Sequence, residues 1–253
     1  MILYIDAFSG ISGDMVLGAF VDLGVNPNWI ESELSPLLDG FHIRTETVFR
    51  QHLRATSLFV DTKEDHSSRN YSDIKTLIIK SGYSDWVRKK SLQAFEIIAR
   101  AESLIHGRDM DHVHFHEIGG IDSMVDIIGS FLCAEKLGVE KVVASQIPLG
   151  SGFVDCAHGK IPVPVPAVAA ILKGVPVTGC DAKTEIVTPT GAALAKTLAS
   201  EFGILPPMEI RKIGYGAGKR DTGSFRPNLL RLILGTSQAP VRTFADQVYV
   251  IHT

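Results

Sequence analysis

Apolar and polar positions alternate along this chain between two periods, the mark of strands interleaved with helices. Ile2 to Ile5 is a short apolar run that predicts a buried strand. Asp14 to Leu23 has helical spacing and closes at Gly24, and Pro27 to Leu38 predicts a second helix with proline in its first turn. Phe41 to Phe49 and Leu53 to Val60 alternate well enough for two strands, a candidate hairpin, before a polar, loop-like stretch from Asp61 to Asn70. Ser72 is the expected cap of a short helix to Lys80. Ser84 is the expected cap of a long one to His106, with Gly107 as its stop. The long helix carries Trp86, Ala94, Phe95, Ile98, Ala101 and Ile105 on one face. Farther on, Ile121 to Leu137 has helical period, Lys141 to Ile147 is a strand, and a Pro/Gly-rich region to Val177 holds a short helix near Ala167 to Leu172. Pro189 to Phe202 is expected as a helix, and Met208 to Ile213 and Leu229 to Leu234 as strands. The class is α/β, a mixed sheet with flanking helices. A division into two subdomains is open: an N-terminal one over 1–110, one carrying the chemistry over 111–235, and a linker and first strand of a further domain over 236–253.

One window changes the picture from fold to chemistry. In HVHFHEIGGIDSMVD, His112, His114 and His116 are spaced two apart, so a strand would present all three imidazoles on one face. Gly119-Gly120 ends that strand, and Asp122 and Asp126, four apart, share one side of the helix that follows. Imidazoles at a strand end beside carboxylates at a helix start suit a divalent metal, with Glu117, Asp122 and Asp126 as partners of the imidazoles or as a base. The plainer reading is that Asp122 or Ser123 caps the helix and the histidines are solvated. Six ionisable groups in so short a window favour the functional reading.

The N-terminal DAFSGISGDM is a strand-to-helix turn rich in small residues. Ser9, Gly10, Ser12 and Gly13 offer hydroxyls and close backbone approach to an anion, while Asp6 and Asp14 offer carboxylates to a cation. It matches neither a Walker A nor a GxGxxG pattern, and an ordinary tight turn is the alternative. Three further segments could complete a pocket. CAHGKIPVPVP brings Cys156, His158 and Lys160. VTPTGAALA sets Thr188, Thr190 and Gly191 at a helix start. GYGAGKRD is a glycine-rich loop with Lys219 and Arg220, followed by Arg226. Each alone is weak, with Thr190 readable as a cap and Lys219 as a solvated charge.

Composition bounds the function classes. The chain has 253 residues, 45% hydrophobic, with a net charge of −3 and no basic stripe, which argues against a nucleic-acid partner. The apolar run from Ile161 to Leu172 is too short to cross a bilayer and is broken by three prolines, so no membrane partner is expected. The apolar start is too short for a signal peptide, and three unpaired cysteines fit a reducing, cytoplasmic setting.

Taken in order, these strings resemble the LarC family of nickel insertion proteins. YIDAFSGISGDMVLG is similar to the family's opening and VHFHEIG, with Asp122, Ser123 and Asp126, to its central motif. LGSGFVDCAHGKIPVPVPA, TPTGAAL and GYGAGKRD are similar to later segments. The resemblance implies insertion of nickel into pyridinium-3,5-bisthiocarboxylic acid mononucleotide, dependent on CTP with Mg or Mn, to make the nickel-pincer cofactor of lactate racemase. It implies a nickel chelatase or cyclometallase of the lyase class. His114 and His116, with His112, are the first choices to hold the incoming ion, with Cys156 and His158 as further candidates. The substrate's anions would meet Ser12, Thr190, Lys219, Arg220 and Arg226. Two departures stand out. The histidine-rich tract of the family is here KEDHSSRNYSDI, with His66 alone. The family's full-length members continue with a domain implicated in CTP binding, whereas this sequence closes on DQVYVIHT. The expected partners are therefore the substrate nucleotide, that C-terminal domain or its separate chain, and the lactate racemase apoprotein, with a homo-oligomer left open. A metal-dependent hydrolase using the HxHxH cluster and a non-catalytic nickel carrier are the competing classes.

Overall fold

The computed structural model describes residues 1–62, 69–107, 109–110, 120–156, 159–220 and 226–237, with Cys156 described in its backbone only. Its centre is a seven-stranded mixed sheet in the order β2-β3-β10-β11-β1-β4-β9. The strands are β1 (Ile2–Asp6), the hairpin β2 (Phe41–Arg50) and β3 (Leu53–Thr62), β4 (Lys141–Ala144), β9 (Glu201–Phe202), β10 (Met208–Ala217) and β11 (Leu229–Ser237). β1 pairs antiparallel with β11 and parallel with β4, so strands from both ends of the sequence meet at the sheet centre. Two small sheets flank it: β5 (Ile147–Leu149) with β8 (Val177–Gly179), and the hairpin β6 (Phe153–Cys156) with β7 (Gly159–Pro162).

Seven helices are described: α1 (Gly13–Asp22), α2 (Pro27–Leu34), α3 (Tyr71–Lys80), α4 (Asp85–His106), α5 (Ile121–Lys136), α6 (Pro166–Ile171) and α7 (Pro189–Leu198). α1 packs on β10, β3 and β11 and also touches α5 and α7. The main core forms on that face of the sheet. Along β11, Leu230, Leu232 and Leu234 enter it, while Leu229 and Ile233 join two smaller clusters, as strand alternation requires. α5 is buried along nearly its whole length, including Phe131, Ile127 and Ile128, and Trp86 of α4 meets Phe131 edge-on at 6.1 Å.

The predicted α/β class with a mixed sheet and flanking helices is what the chain adopts. Several boundaries differ, each for a local reason. The cap of α3 is Asn70 rather than Ser72: its side chain accepts from Asp73 N at 2.9 Å in a reciprocal capping box. α7 stops at Leu198, because Ala199 is extended and Ser200 bonds the Val142 carbonyl, which redirects Glu201–Phe202 into the sheet beside β4. The second helix ends at Leu34, short of Leu38. The strand expected over Lys141 to Ile147 divides after Ala144, where Ser145 N bonds Ile5 O, and Ile147 pairs with Val177 instead. The glycines of GYGAGKRD do not form a loop throughout: Gly214 to Ala217 complete β10, and only Gly218 onward leaves the sheet.

Candidate functional site

The turn after β1 and the loop before α7 are fastened to each other. Ile11 N donates to Ile186 O at 2.9 Å, and Thr188 N donates back to Ile11 O at 3.1 Å. Gly10 turns the chain with φ of 106° and lies under Ile186, where a Cβ would come within 2.0 Å of the Ile186 carbonyl oxygen. Gly191 gives α7 the same closeness, since a Cβ there would lie 2.3 Å from Ile11 O. The first turns of α1 and α7 are thereby held side by side, and the N-terminal end of α5 joins them at a cavity of about 840 Å³. That volume is within the ordinary range for a small-ligand site.

The cavity wall carries Ser12, Gly13 and Asp14 of α1, Asp122, Ser123 and Asp126 of α5, and Thr188 and Thr190 at α7. The same wall carries Glu102, Ile105 and His106 at the C-terminal end of α4, Val154 and Asp155 of β6, Ile161 of β7, and Gly218, Lys219 and Arg220 beyond β10. Thr188 caps α7, accepting from Gly191 N at 3.2 Å, and its hydroxyl is 2.9 Å from that of Thr190. Ser12 begins α1 without capping it; its hydroxyl donates to Asp14, whose Oδ1 accepts from Met15 N at 2.9 Å. Gly120 likewise offers α5 no side-chain cap. The first-turn N–H groups left over, those of α5 above all, carry partial positive charge into the cavity, which favours an anion.

Fixed charges of both signs surround it. Lys219 Nζ is 3.4 Å from Asp14 Oδ2, and Arg220 is 3.0 Å from Glu185. Asn228 holds this segment in place, accepting from Gly218 N at 3.1 Å and donating to the Arg220 carbonyl at 2.9 Å. His106 Nε2 lies 3.2 Å from Glu102. Asp126 is the unusual member. It is only 9% exposed, and its Oδ1 is buried with no hydrogen-bond partner among the described residues. Burial pushes its carboxyl well above the usual carboxylate range. Asp14 and Asp122 push it the same way, and Lys219 opposes them without prevailing. Gly13 makes room for it: a Cβ there would be 2.6 Å from Asp126 Oδ2.

Of the candidate residues named from sequence, Ser12, Gly13, Asp14, Asp122, Asp126, Thr188, Thr190, Lys219 and Arg220 are brought together. Asp6, Ser9, Gly10 and Gly191 are not on the cavity wall. Asp6 pairs with Arg231, its cross-strand neighbour, at 2.5 Å. Ser9 is buried, and Gly10 and Gly191 are packing positions. Arg226 bonds the Phe8 carbonyl at 3.2 Å. His112, His114, His116, Glu117 and His158 lie outside the described residues, as does the side chain of Cys156. Among the described residues no group of three or more His, Cys, Asp or Glu side chains could hold a metal. No described helix is long and apolar enough to cross a membrane. Sequence reasoning missed Glu102, His106, Asp155, Glu185 and Asn228. An acid and a histidine four apart in the last turn before Gly107 were the one available signal, and an i,i+4 pair on a helix end is common enough to pass as surface charge.

A family model described as "Nickel insertion protein" matches residues 3–253. The chain is 44% identical over 264 residues to a pyridinium-3,5-bisthiocarboxylic acid mononucleotide nickel insertion protein of Acetivibrio thermocellus, covering 100% of this chain and 64% of that protein. It is 43% identical to a putative nickel insertion protein of Geotalea uraniireducens, covering 100% and 65% respectively. A Staphylococcus epidermidis protein with the same name as the Acetivibrio one is 47% identical over 232 residues, covering 91% and 58%. The chain thus spans less than two thirds of the length of these relatives. No solved structure matches it.

Proposed function

The chain belongs to the nickel insertion protein family, and from that premise we propose that its cavity receives pyridinium-3,5-bisthiocarboxylic acid mononucleotide and that nickel is inserted into this nucleotide there. The observation that carries the reading is the meeting of the α1, α5 and α7 N-termini with Lys219, Arg220 and four aspartates in one cavity of about 840 Å³. A ligand with a phosphate, two thiocarboxylates and a reacting ring C–H needs both kinds of group. Helix N–H groups and cations receive the anions. Carboxylates face the chemistry, because a nickel–carbon bond replaces a ring C–H and the released proton needs an acceptor. Asp122, on the exposed side of α5, and Glu117 are the candidate acceptors.

Nickel is substrate in this scheme. His112, His114 and His116, with Cys156 and His158, are proposed to hold it in transit, since imidazole and thiolate suit Ni(II). The use of CTP with Mg or Mn, the lyase classification, the delivery of product toward lactate racemase, a cytoplasmic setting and the need for a C-terminal domain all belong to this proposal through the family resemblance. So does the division of the chain at 110 and 235.

The test is nickel insertion followed by mass spectrometry of the nucleotide, with nucleotide binding measured separately by calorimetry. A His114→Ala/His116→Ala double variant should bind the nucleotide as the parent does and insert no nickel. Insertion at the parental rate by that variant overturns the histidine assignment. Failure of the parent protein to bind the nucleotide overturns the assignment of the cavity.

A further inference from the structure

Asp126 poses a problem for an anion site. The surroundings of the cavity wall at this point are the first turns of α1 and α7, which favour negative charge. Yet the carboxyl pointing among them has a buried oxygen without a partner and a glycine cleared to admit it. Among the described residues, the charged groups around it come from several elements. α1 brings Asp14, α5 itself brings Asp122, and the segment past β10 brings Lys219, which is already engaged with Asp14. From α4 come Glu102 and His106, which are paired with each other. α7 contributes the hydroxyls of Thr188 and Thr190. No cation is within salt-bridge distance of Asp126 among the described residues, whereas three further aspartates stand on the same wall.

Were Asp126 ionised, a bound phosphate or thiocarboxylate would confront a buried, uncompensated negative charge. Protonated, the same carboxyl becomes an O–H donor among N–H donors, and its character then matches the helix ends around it. We propose that Asp126 enters the complex as a neutral carboxylic acid whose O–H donates a hydrogen bond to an anionic group of the bound nucleotide. Binding of the anion is then coupled to retention of one proton, and affinity falls as pH rises. The direction in which burial and the neighbouring aspartates move this carboxyl agrees with that state. The inference rests on the cavity being the nucleotide site, as proposed above, and it assigns Asp126 a different task from the proton-accepting carboxylates.

Two commercially simple pyridinium mononucleotides serve as probes. Nicotinic acid mononucleotide carries a phosphate and one ring carboxylate; nicotinamide mononucleotide carries the phosphate alone. Calorimetry from about pH 6 to 9, in buffers of different ionisation enthalpy, reads both affinity and proton uptake. Wild-type affinity should fall with pH by up to about tenfold per unit once Asp126 must be reprotonated, with uptake approaching about one proton per ligand. Asp126→Asn keeps a donor at the same position, so it should bind at every pH and lose that extra dependence and uptake. Asp126→Ala, with no donor, should bind more weakly than Asn throughout. Uptake with both probes assigns the phosphate as acceptor; uptake with the carboxylate-bearing probe alone assigns the ring anion. Thermal unfolding of each variant verifies that it is folded. If wild type binds but Asp126→Asn reproduces its pH profile, the neutral-acid role is overturned while the cavity assignment stands. If wild type binds neither probe at any pH, both are overturned.

Discussion

Substituting Gly216 with alanine tests how the site is held against the sheet. Gly216 lies in β10 between Leu230 of β11 and Thr56 of β3, so its strand is fixed on both sides. A methyl group at this position would sit 1.8 Å from the Met15 carbonyl oxygen and 2.8 Å from Ala19 N. These are backbone atoms of α1, and no side-chain rotation relieves the contact. To restore an ordinary separation of 3.4 Å, α1 must retreat by about 1.6 Å at its first turn, losing dispersion contacts along its length. A Cβ on Gly214 would lie 2.3 Å from Ala19 O and one on Gly18 2.8 Å from Thr56 O, so the helix has little freedom to tilt instead. Overpacking of this kind costs about 2–3 kcal/mol, which corresponds to a fall in Tm of roughly 4–12 °C for a chain of this size. Because Met15 belongs to the turn that bears Ser12, Gly13 and Asp14, affinity for a pyridinium mononucleotide should fall as well. Gly82→Ala is the control, with nothing within 4 Å of the new methyl and an expected change within about 0.5 kcal/mol. Differential scanning calorimetry and nucleotide titration decide the matter. A Gly216→Ala protein melting within a degree or two of the parent, with parental affinity, would refute the claim that α1 is set by glycine-to-backbone contact.

Two further outcomes follow from individual residues. The Asp126 carboxyl is raised from 3.8 in the fold, so the native state favours the protonated form; its stabilising preference is intact at acid pH and drains away as pH climbs through the folded value. Asp126→Asn should therefore gain in Tm relative to wild type between about pH 4 and pH 9, and a difference that stays flat across that range would count against the burial argument. Asn70→Ala removes the side-chain half of the α3 capping box, leaving the Asn70 backbone N–H to donate to Asp73, and should cost about 1 kcal/mol, read as a Tm lower by roughly 2–4 °C with nucleotide affinity unchanged.

Much of this architecture was legible because it is local. Period two gave the β2–β3 hairpin. Period 3.6 gave α4 and α5, and Pro27 signalled the start of α2, whose cap is Asn26. The spacing of Asp122 and Asp126 placed both on one side of α5, and both do reach the cavity wall. What the sequence withheld was long-range. Nothing in DAFSGISGDM announces that Ile11 pairs with Val187, yet that bridge is what sets two helix starts together. Asp6 was read as a ligand because a carboxylate beside small residues looks free; its partner Arg231 lies at the far end of the chain. GYGAGKRD was read as an anion loop because glycines beside Lys219 and Arg220 suit a phosphate. Close approach to its glycines is real, but for Gly214 and Gly216 the visitor is the backbone of α1.

That last substitution of partner is informative about how the site is constructed. Glycines in β10, in the loop before α1 and at the start of α7 each remove a side chain where another would have filled the core. Removing them sacrifices buried apolar volume, which is normally the main source of stability. The gain is that α1 lies low on the sheet with its first turn pressed against α7 on one side and Asp126 of α5 on the other. Helix-terminal N–H groups act over little more than one turn, so three such ends influence one ligand only if the helices approach this closely. The same closeness leaves Asp126 buried, with an oxygen that has no partner among the described residues, which is why its charge is the variable in the proposed anion site. Restoring ordinary side chains at these positions would rebuild the core at the expense of the convergence, and the two effects should separate as stability retained or lost against affinity lost.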